Sequence, residues 1–164
     1  MMYIMNGEVK WYHQNGNIRK EEHYKEDKLH GKVKYYLPNG KISQESNYKD
    51  GKLDGEFKKY WENGNLKEEK NYKNGQLDGN CREYFENGNL RLSSQYKDDK
   101  SYGEYKLYYK SGQLKEHEKD NKLYCYWENG NLQEERDFTN GLKVTNYNED
   151  GIIQKESNYK DGLL

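Results

Sequence analysis

The stretch Trp61–Leu90, WENGNLKEEKNYKNGQLDGNCREYFENGNL, decides the fold because it says the same thing twice. Glu-Asn-Gly-Asn-Leu follows Trp61 and returns after Phe85, and a second Asn-Gly, Asn74-Gly75, lies between the two copies. Such a motif is either a loop that cradles a ligand or punctuation in a repetitive scaffold.

Working outward, the same spacing recurs along the chain. Turn glycines fall at Gly16, Gly40, Gly64, Gly88 and Gly112, every 24 residues, then at Gly130 and Gly151 after intervals of 18 and 21. A second glycine column runs Gly7, Gly31, Gly55, Gly79 and Gly103. One tyrosine column holds Tyr24, Tyr48, Tyr72 and Tyr96, and another Tyr12, Tyr36, Tyr60, Tyr84 and Tyr108. A fixed period of this length marks a repeat architecture. The expectation is one array over 1–164, regular over about 7–112 and irregular over about 113–164.

Each unit carries two turn dipeptides, such as Asn63-Gly64 and Asn74-Gly75, or Asn39-Gly40 and Asp50-Gly51. Asn-Gly and Asp-Gly suit the type I′ hairpin turn, whose central residues both need positive φ. The tracts between are tyrosine-rich and alternate in pattern, with no alanine and little helical period. The predicted fold is all-β: an elongated single-sheet antiparallel meander of stacked β-hairpin repeats, two strands per repeat and about fourteen in all.

Centring I′ turns on both dipeptides sets a register. Trp61 then faces Leu66, Lys59 faces Glu68, Phe57 faces Lys70, and Tyr72 faces both Gly55 and Leu77. One face is assigned Leu53, Gly55, Phe57, Trp61, Leu66, Tyr72 and Leu77. The other is assigned Asp54, Glu56, Lys58, Tyr60, Lys67, Glu69 and Lys73. A glycine inside a strand weakens it unless the chain bends or a neighbour packs closely. Bending along the glycine column folds the sheet into a trough and brings its two apolar rails together.

Composition sets the remaining bounds. Of 164 residues 35% are charged, and Leu, Ile, Val and Phe make up only about 15%, below the roughly 20% at which disorder becomes a competing reading. A net charge of −1 removes the self-repulsion that extends such chains, and 18 Tyr with 3 Trp supply apolar area. Lys and Arg (28) interleave with Asp and Glu (29). The basic stripe of a nucleic-acid binder is missing, as is the basic amphipathic segment of a peripheral membrane protein. MMYIMNGEVK is too short and polar for a signal peptide, and no apolar run approaches a membrane span. Cys81 and Cys125 form no disulfide or zinc pattern. These features lead us to expect a soluble cytoplasmic protein.

The unit NGxLxxExxYKxGxLxGxxxxYY resembles the bacterial variant of the MORN (membrane occupation and recognition nexus) repeat, and more closely the repeats of the YwqK-type antitoxin family. The resemblance covers almost the whole chain. It implies an elongated array of hairpins that binds other proteins. MORN repeats are also linked to phospholipids, and the YwqK-type label implies neutralisation of a toxin partner. The pattern departs at KSGQLKEHEKDNKLYCYWENG, which has lost its L-x-G segment, and again at FTNGLKVTNY.

A search for reactive groups finds none arranged for catalysis. His13, His23, His30 and His117 share no metal-ligand spacing with cysteines or carboxylates. His13 stands in the column of Leu37, Trp61 and Phe85, which suits a semi-buried cap. Cys81 stands in the column of Val9, Val33, Phe57 and Tyr105, which suits a small core residue. Glu68/Glu69 and Glu134/Glu135 are adjacent strand residues and so point to opposite faces. No metal or cofactor is expected, nor is an enzyme.

The candidate site is the tyrosine rail of the polar face: Tyr12, Tyr36, Tyr60, Tyr84, Tyr108 and Tyr126, with Trp127 beside the last. Tyrosine offers a large contact area with a polar tip and is enriched at protein interfaces. The competing reading is that each tyrosine covers a lysine stem such as that of Lys67 and only stiffens the sheet. The irregular region 98–127 is read either as a kink or weak interface, or as a partner-specific surface. The expected function is a non-enzymatic module that blocks a partner protein, a toxin or effector, by steric occlusion. The alternatives are a module that self-associates through its edge strands and a lipid-binding platform.

Overall fold

The computed structural model describes residues 4–159, so residues 1–3 and 160–164 of the expected array lie outside it. The regular structure is all β. The strands are β1 (Gly7–Tyr12), β2 (Ile18–Lys25), β3 (Lys28–Leu29), β4 (Gly31–Tyr36), β5 (Ile42–Lys49), β6 (Lys52–Tyr60), β7 (Leu66–Lys73) and β8 (Gln76–Tyr84). They continue as β9 (Leu90–Lys97), β10 (Lys100–Tyr108), β11 (Leu114–Lys119), β12 (Lys122–Tyr126), β13 (Leu132–Asp137), β14 (Leu142–Tyr147) and β15 (Ile153–Tyr159). They form one 15-stranded antiparallel sheet in which spatial order follows chain order, with the short β3 paired to β2. This is the expected meander.

Two kinds of turn join most of the strands. At Asn74-Gly75 both central residues have positive φ, 53° and 91°, as does Asp50-Gly51 at 50° and 84°, the type I′ geometry. Glu26-Asp27, Asp98-Asp99 and Asp120-Asn121 adopt it without any glycine. The turns at Asn63-Gly64 and its equivalents differ from expectation. There only the glycine has positive φ (Gly64, 95°). The Gly64 N–H donates to the Trp61 carbonyl at 2.9 Å, and the Trp61 N–H to the Asn65 carbonyl at 2.8 Å. This is a type I turn closed by a glycine bulge. It leaves Lys67 without a partner and places Tyr60, rather than Trp61, opposite Leu66. From Lys59↔Glu68 to Gly55↔Tyr72 the pairing is the expected one.

The Asn-Gly-Asn triplet has a second use. Asn63 and Asn65 both donate through Nδ2 to the carbonyl of Glu86 in the next repeat, each at 2.9 Å. Asn15 and Asn17 clasp Pro38 in the same way, Asn87 and Asn89 clasp Lys110, and Asn129 and Asn131 clasp Glu149. Four of the turns are thereby fastened to their neighbours in the stack.

The mid-strand glycines bend the sheet. Between the pairs Ser46↔Phe57 and Tyr48↔Leu53, Asn47 alone faces Asp54, Gly55 and Glu56. Gly55 takes up the excess chain at φ 106°, and Gly79 does the same at 121°. On its other edge Gly55 pairs with Tyr72, as expected, and Tyr72 meets Phe57 edge-to-face at 5.9 Å.

The concave face follows the line Val33, Ser46, Phe57, Lys70, Cys81 and Ser94, each paired with the next. Val33 and Ser46 are only 1% exposed. A flat single layer cannot bury a side chain so far, so the flanking rows close over this midline as a trough. The face is less apolar than expected. Lys59, Glu68 and Lys70 share it as an ion-pair cluster, and the buried Glu22 is held by Lys20 at 2.5 Å and by the Trp11 indole N–H at 2.9 Å.

Past residue 112 the sheet continues without a gap. Losing the L-x-G segment removes the bulge, so β11 and β12 pair with no register shift. In the last hairpins the buried residue is Thr145, on the opposite side, in line with Tyr124 and Glu135.

Candidate partner-binding face

The convex face is built on a charge ladder. Register places Lys10, Glu21, Lys34, Glu45, Lys58, Glu69 and Arg82 in one row across β1, β2 and β4 to β8, alternating in sign at every step. Lys10 approaches Glu21 at 3.4 Å, Lys34 approaches Glu45 at 3.9 Å, and Arg82 meets Glu69 at 2.9 Å. Partly exposed pairs like these contribute about 0–1 kcal/mol each. Their effect is to fix register and to cover the face with neutral pairs. Glu68 and Glu69 point to opposite faces, as expected, one to Lys59 and Lys70 and the other to Arg82.

The tyrosine rail runs beside this ladder. Tyr12, Tyr36, Tyr60, Tyr84, Tyr108 and Tyr126 occupy one structural position, opposite Ile18, Ile42, Leu66, Leu90, Leu114 and Leu132. Three of them lean across the sheet to the acids of the ladder. Tyr36 donates to Glu21 at 2.6 Å, Tyr60 to Glu45 at 2.9 Å and Tyr84 to Glu69 at 2.8 Å, each 15 residues back. Burial and the adjoining carboxylate push all three phenols up to about 12. The Tyr36 hydroxyl and Lys10 hold Glu21 below the ordinary carboxylate value despite its partial burial. Tyr60 therefore reaches Glu45 rather than lying on the Lys67 stem, and it stays partly exposed on the convex face. Tyr12 is 58% exposed.

Trp127 lies outside the rail. It opens a turn, as Trp61, Phe85 and Tyr109 do, each carbonyl accepting from the turn glycine. Three polar members of this column reach to the next repeat: the His13 ring to the Tyr36 carbonyl at 2.9 Å, the Trp61 indole to that of Tyr84 at 3.2 Å, and the Tyr109 hydroxyl to that of Tyr126 at 2.8 Å, whereas the buried Trp127 indole nitrogen has no such partner. His13 is thus the half-buried cap its column suggests. Lys67, displaced by the bulge, stacks over the Trp61 ring at 4.3 Å. Beside it a shallow depression of about 420 Å³ is lined by Trp61, Tyr84, Phe85, Arg91 and Lys110 among others.

Cys81 is 5% exposed, and burial pushes its thiol up, which suits a core residue and opposes nucleophilic use. Cys125 is half-buried with its thiol raised by the same cause. Among the described residues no helix is long and apolar enough to cross a membrane.

Sequence reasoning placed the recurring glutamate in the repeat unit but missed its bond to the tyrosine, and it missed the asparagine clasp. The glutamate column was readable as Glu21, Glu45 and Glu69 at the 24-residue period.

An open sheet of hairpins stacked through identical turns, with a tyrosine and a carboxylate recurring on one face, defines a β-repeat module. Residues 5–26, 29–50, 53–74, 77–98, 102–118, 119–140 and 142–161 each match the MORN repeat variant, and the chain belongs to that family. No curated protein matches the chain significantly.

Proposed function

We propose that the chain is a non-enzymatic binding module that seats a partner protein, a toxin or effector, on its convex tyrosine face and blocks it by occlusion. The observation that carries this reading is the rail itself. Aromatic rings recur at one position along the sheet, held by Glu21, Glu45 and Glu69, with polar surroundings already neutralised in pairs. Rings fixed in advance lose little freedom on binding, and aromatic anchors dominate protein interfaces.

Affinity capture from the source cell tests it, comparing the native chain with a variant carrying Tyr36, Tyr60 and Tyr84 as Ala. The expected result is loss of the captured protein by the variant, with circular dichroism showing the sheet intact. Equal capture by a folded variant would sink the tyrosine-rail reading.

A second reading, self-association, is favoured by the exposed apolar side chains at the two ends of the described sheet: Ile4, Met5 and Trp11 at one end, Ile152 and Ile153 at the other. Unpaired edges of this kind invite strand addition. Sedimentation velocity decides it: a sedimentation coefficient that stays monomeric as concentration rises tenfold excludes assembly.

A further inference from the structure

The charge ladder of the convex face has one vacant rung. After Glu69 and Arg82 the alternation calls for an acid, and register places Ser93 there, paired with Arg82 on one side and Lys106 on the other. The tyrosine of this repeat is affected in the same way. A step of 15 residues back from Tyr36, Tyr60 or Tyr84 reaches a glutamate, but from Tyr108 it reaches Ser93. Among the described residues the Tyr108 hydroxyl meets no carboxylate. His117 is the next residue in the row beyond Lys106.

The surroundings do not refill the rung. Arg82 is engaged by Glu69 at 2.9 Å, and Lys106 is drawn by Glu104 at 2.6 Å. Glu104 also takes Lys119 at 3.2 Å and lies 3.5 Å from His117. One carboxylate thus faces two lysines and a histidine, whereas in the regular repeats each Glu of the ladder has its own neighbours. The chain around Ser93 carries one negative charge fewer than the equivalent site around Glu69. Arg82, Lys106 and Ser93 are all partly exposed, so the position is open to solvent.

We propose that this rung is a docking point for an acidic side chain, Asp or Glu, of a partner protein, whose carboxylate completes the ladder between Arg82 and Lys106 and accepts the Tyr108 hydroxyl. The proposal rests on the protein-binding reading above and locates its polar anchor. The template is internal to the molecule: in three other repeats a carboxylate occupies this place with the same basic and phenolic neighbours. A phosphate group added to Ser93 itself is the less favoured chemistry, because Ser93 lies mid-strand with both neighbours hydrogen-bonded, a poor substrate for a modifying enzyme.

The experiment uses the full chain and a fluorescently labelled octaglutamate peptide at low ionic strength, read by anisotropy. Ser93→Glu fills the rung from within and is expected to weaken peptide binding about tenfold, the scale of a lost charge-assisted hydrogen bond. Ser93→Ala, which leaves the rung empty, is expected to bind within about twofold of the native chain. Tyr108→Phe is expected to weaken binding severalfold. Ser93→Glu should melt no lower than the native chain, so that lost binding is not lost fold. Should it fail to fold, the pair Ser93→Ala and Tyr108→Phe still decides the matter. The proposal is overturned if the native chain does not bind the peptide, if Ser93→Glu binds as tightly, or if millimolar inorganic phosphate occupies the site in preference to the peptide. Capture of a partner that is equally strong with Ser93→Glu would remove this anchor while leaving the tyrosine-rail reading intact.

Discussion

Gly79→Val is expected to lower the stability of the array by about 3 kcal/mol or more, the sum of backbone strain and a forced side-chain contact. Gly79 sits at φ 121°, a conformation L side chains rarely adopt, and a Cβ built there lies 3.2 Å from the Asn71 Cβ. Asn71 is the residue of β7 that alone faces Asp78, Gly79 and Asn80, so neither strand can yield without undoing the bulge. A β-branched residue adds crowding that alanine does not, and Gly79→Ala should fall between the two. Urea unfolding measures the loss, with Asn80→Val, on the exposed neighbour, as a control expected within about 0.5 kcal/mol of native. Because strands contact chiefly their sequence neighbours, hydrogen exchange should show the damage centred on β7 to β9 rather than spread over the sheet. A loss below about 1 kcal/mol would mean that the bulge is not what bends the sheet.

How far the fold could be read in advance follows from the range of each interaction. The period, the meander and the register from Lys59 to Gly55 were legible because they depend on residues close in sequence and on the two-residue alternation of strands. The turn at Asn63-Gly64 was misread because a type I turn with a glycine bulge and a type I′ turn share the same dipeptide. What separates them is the length of the loop between paired residues, five residues from Tyr60 to Leu66 and two from Lys73 to Gln76, which the dipeptide alone does not encode. Asp98-Asp99 hid the opposite case, a I′ turn with no glycine, where the Asp99 carboxylate accepts the Leu77 N–H at 2.8 Å and offsets the strained φ. In the candidate site the tyrosine column was plain, but its partners were not. Tyr60 meets Glu45 diagonally on the adjacent strand β5, where Glu45 is paired with Lys58, a contact invisible to a reading that joins each residue only to its direct cross-strand partner. Lys59, Glu68 and Lys70 follow from the same register, Lys70 opposite Phe57, and share the concave face because a trough of single-sheet thickness has too few apolar residues to line its whole interior.

Val33→Asp is the second large effect expected, a loss of about 3–5 kcal/mol. Val33 is 1% exposed, and its partner across the strand, Ser46, is equally buried with a hydroxyl that has no hydrogen-bond partner. The site therefore offers little to solvate a charge. It also borders Glu22, one residue beyond the Glu21↔Lys34 pair and 3% exposed. Burial pushes the Glu22 carboxyl up, but Lys20 and the Trp11 indole more than offset this and hold it below its ordinary value, so it stays ionised with its nearest base already engaged. A second carboxyl beside it meets both desolvation and a like charge, and each raises its folded pKa above the unfolded value of about 3.9. The folded state then binds the extra proton more tightly, so the variant loses stability as pH rises through the raised folded value and recovers it as pH falls back toward about 3.9. The native chain should move the other way, since acid protonates Glu22 and Glu69, whose folded values are depressed. Urea midpoints for both proteins across pH 3–7 check this: the gap between them is expected to narrow toward low pH. Val33→Ser, which adds one hydroxyl to a row that already holds Ser46 and Ser94, should cost only about 1–3 kcal/mol and show no such pH dependence. If the aspartate variant matched the serine variant at pH 7, the midline of the trough would have to be open to water.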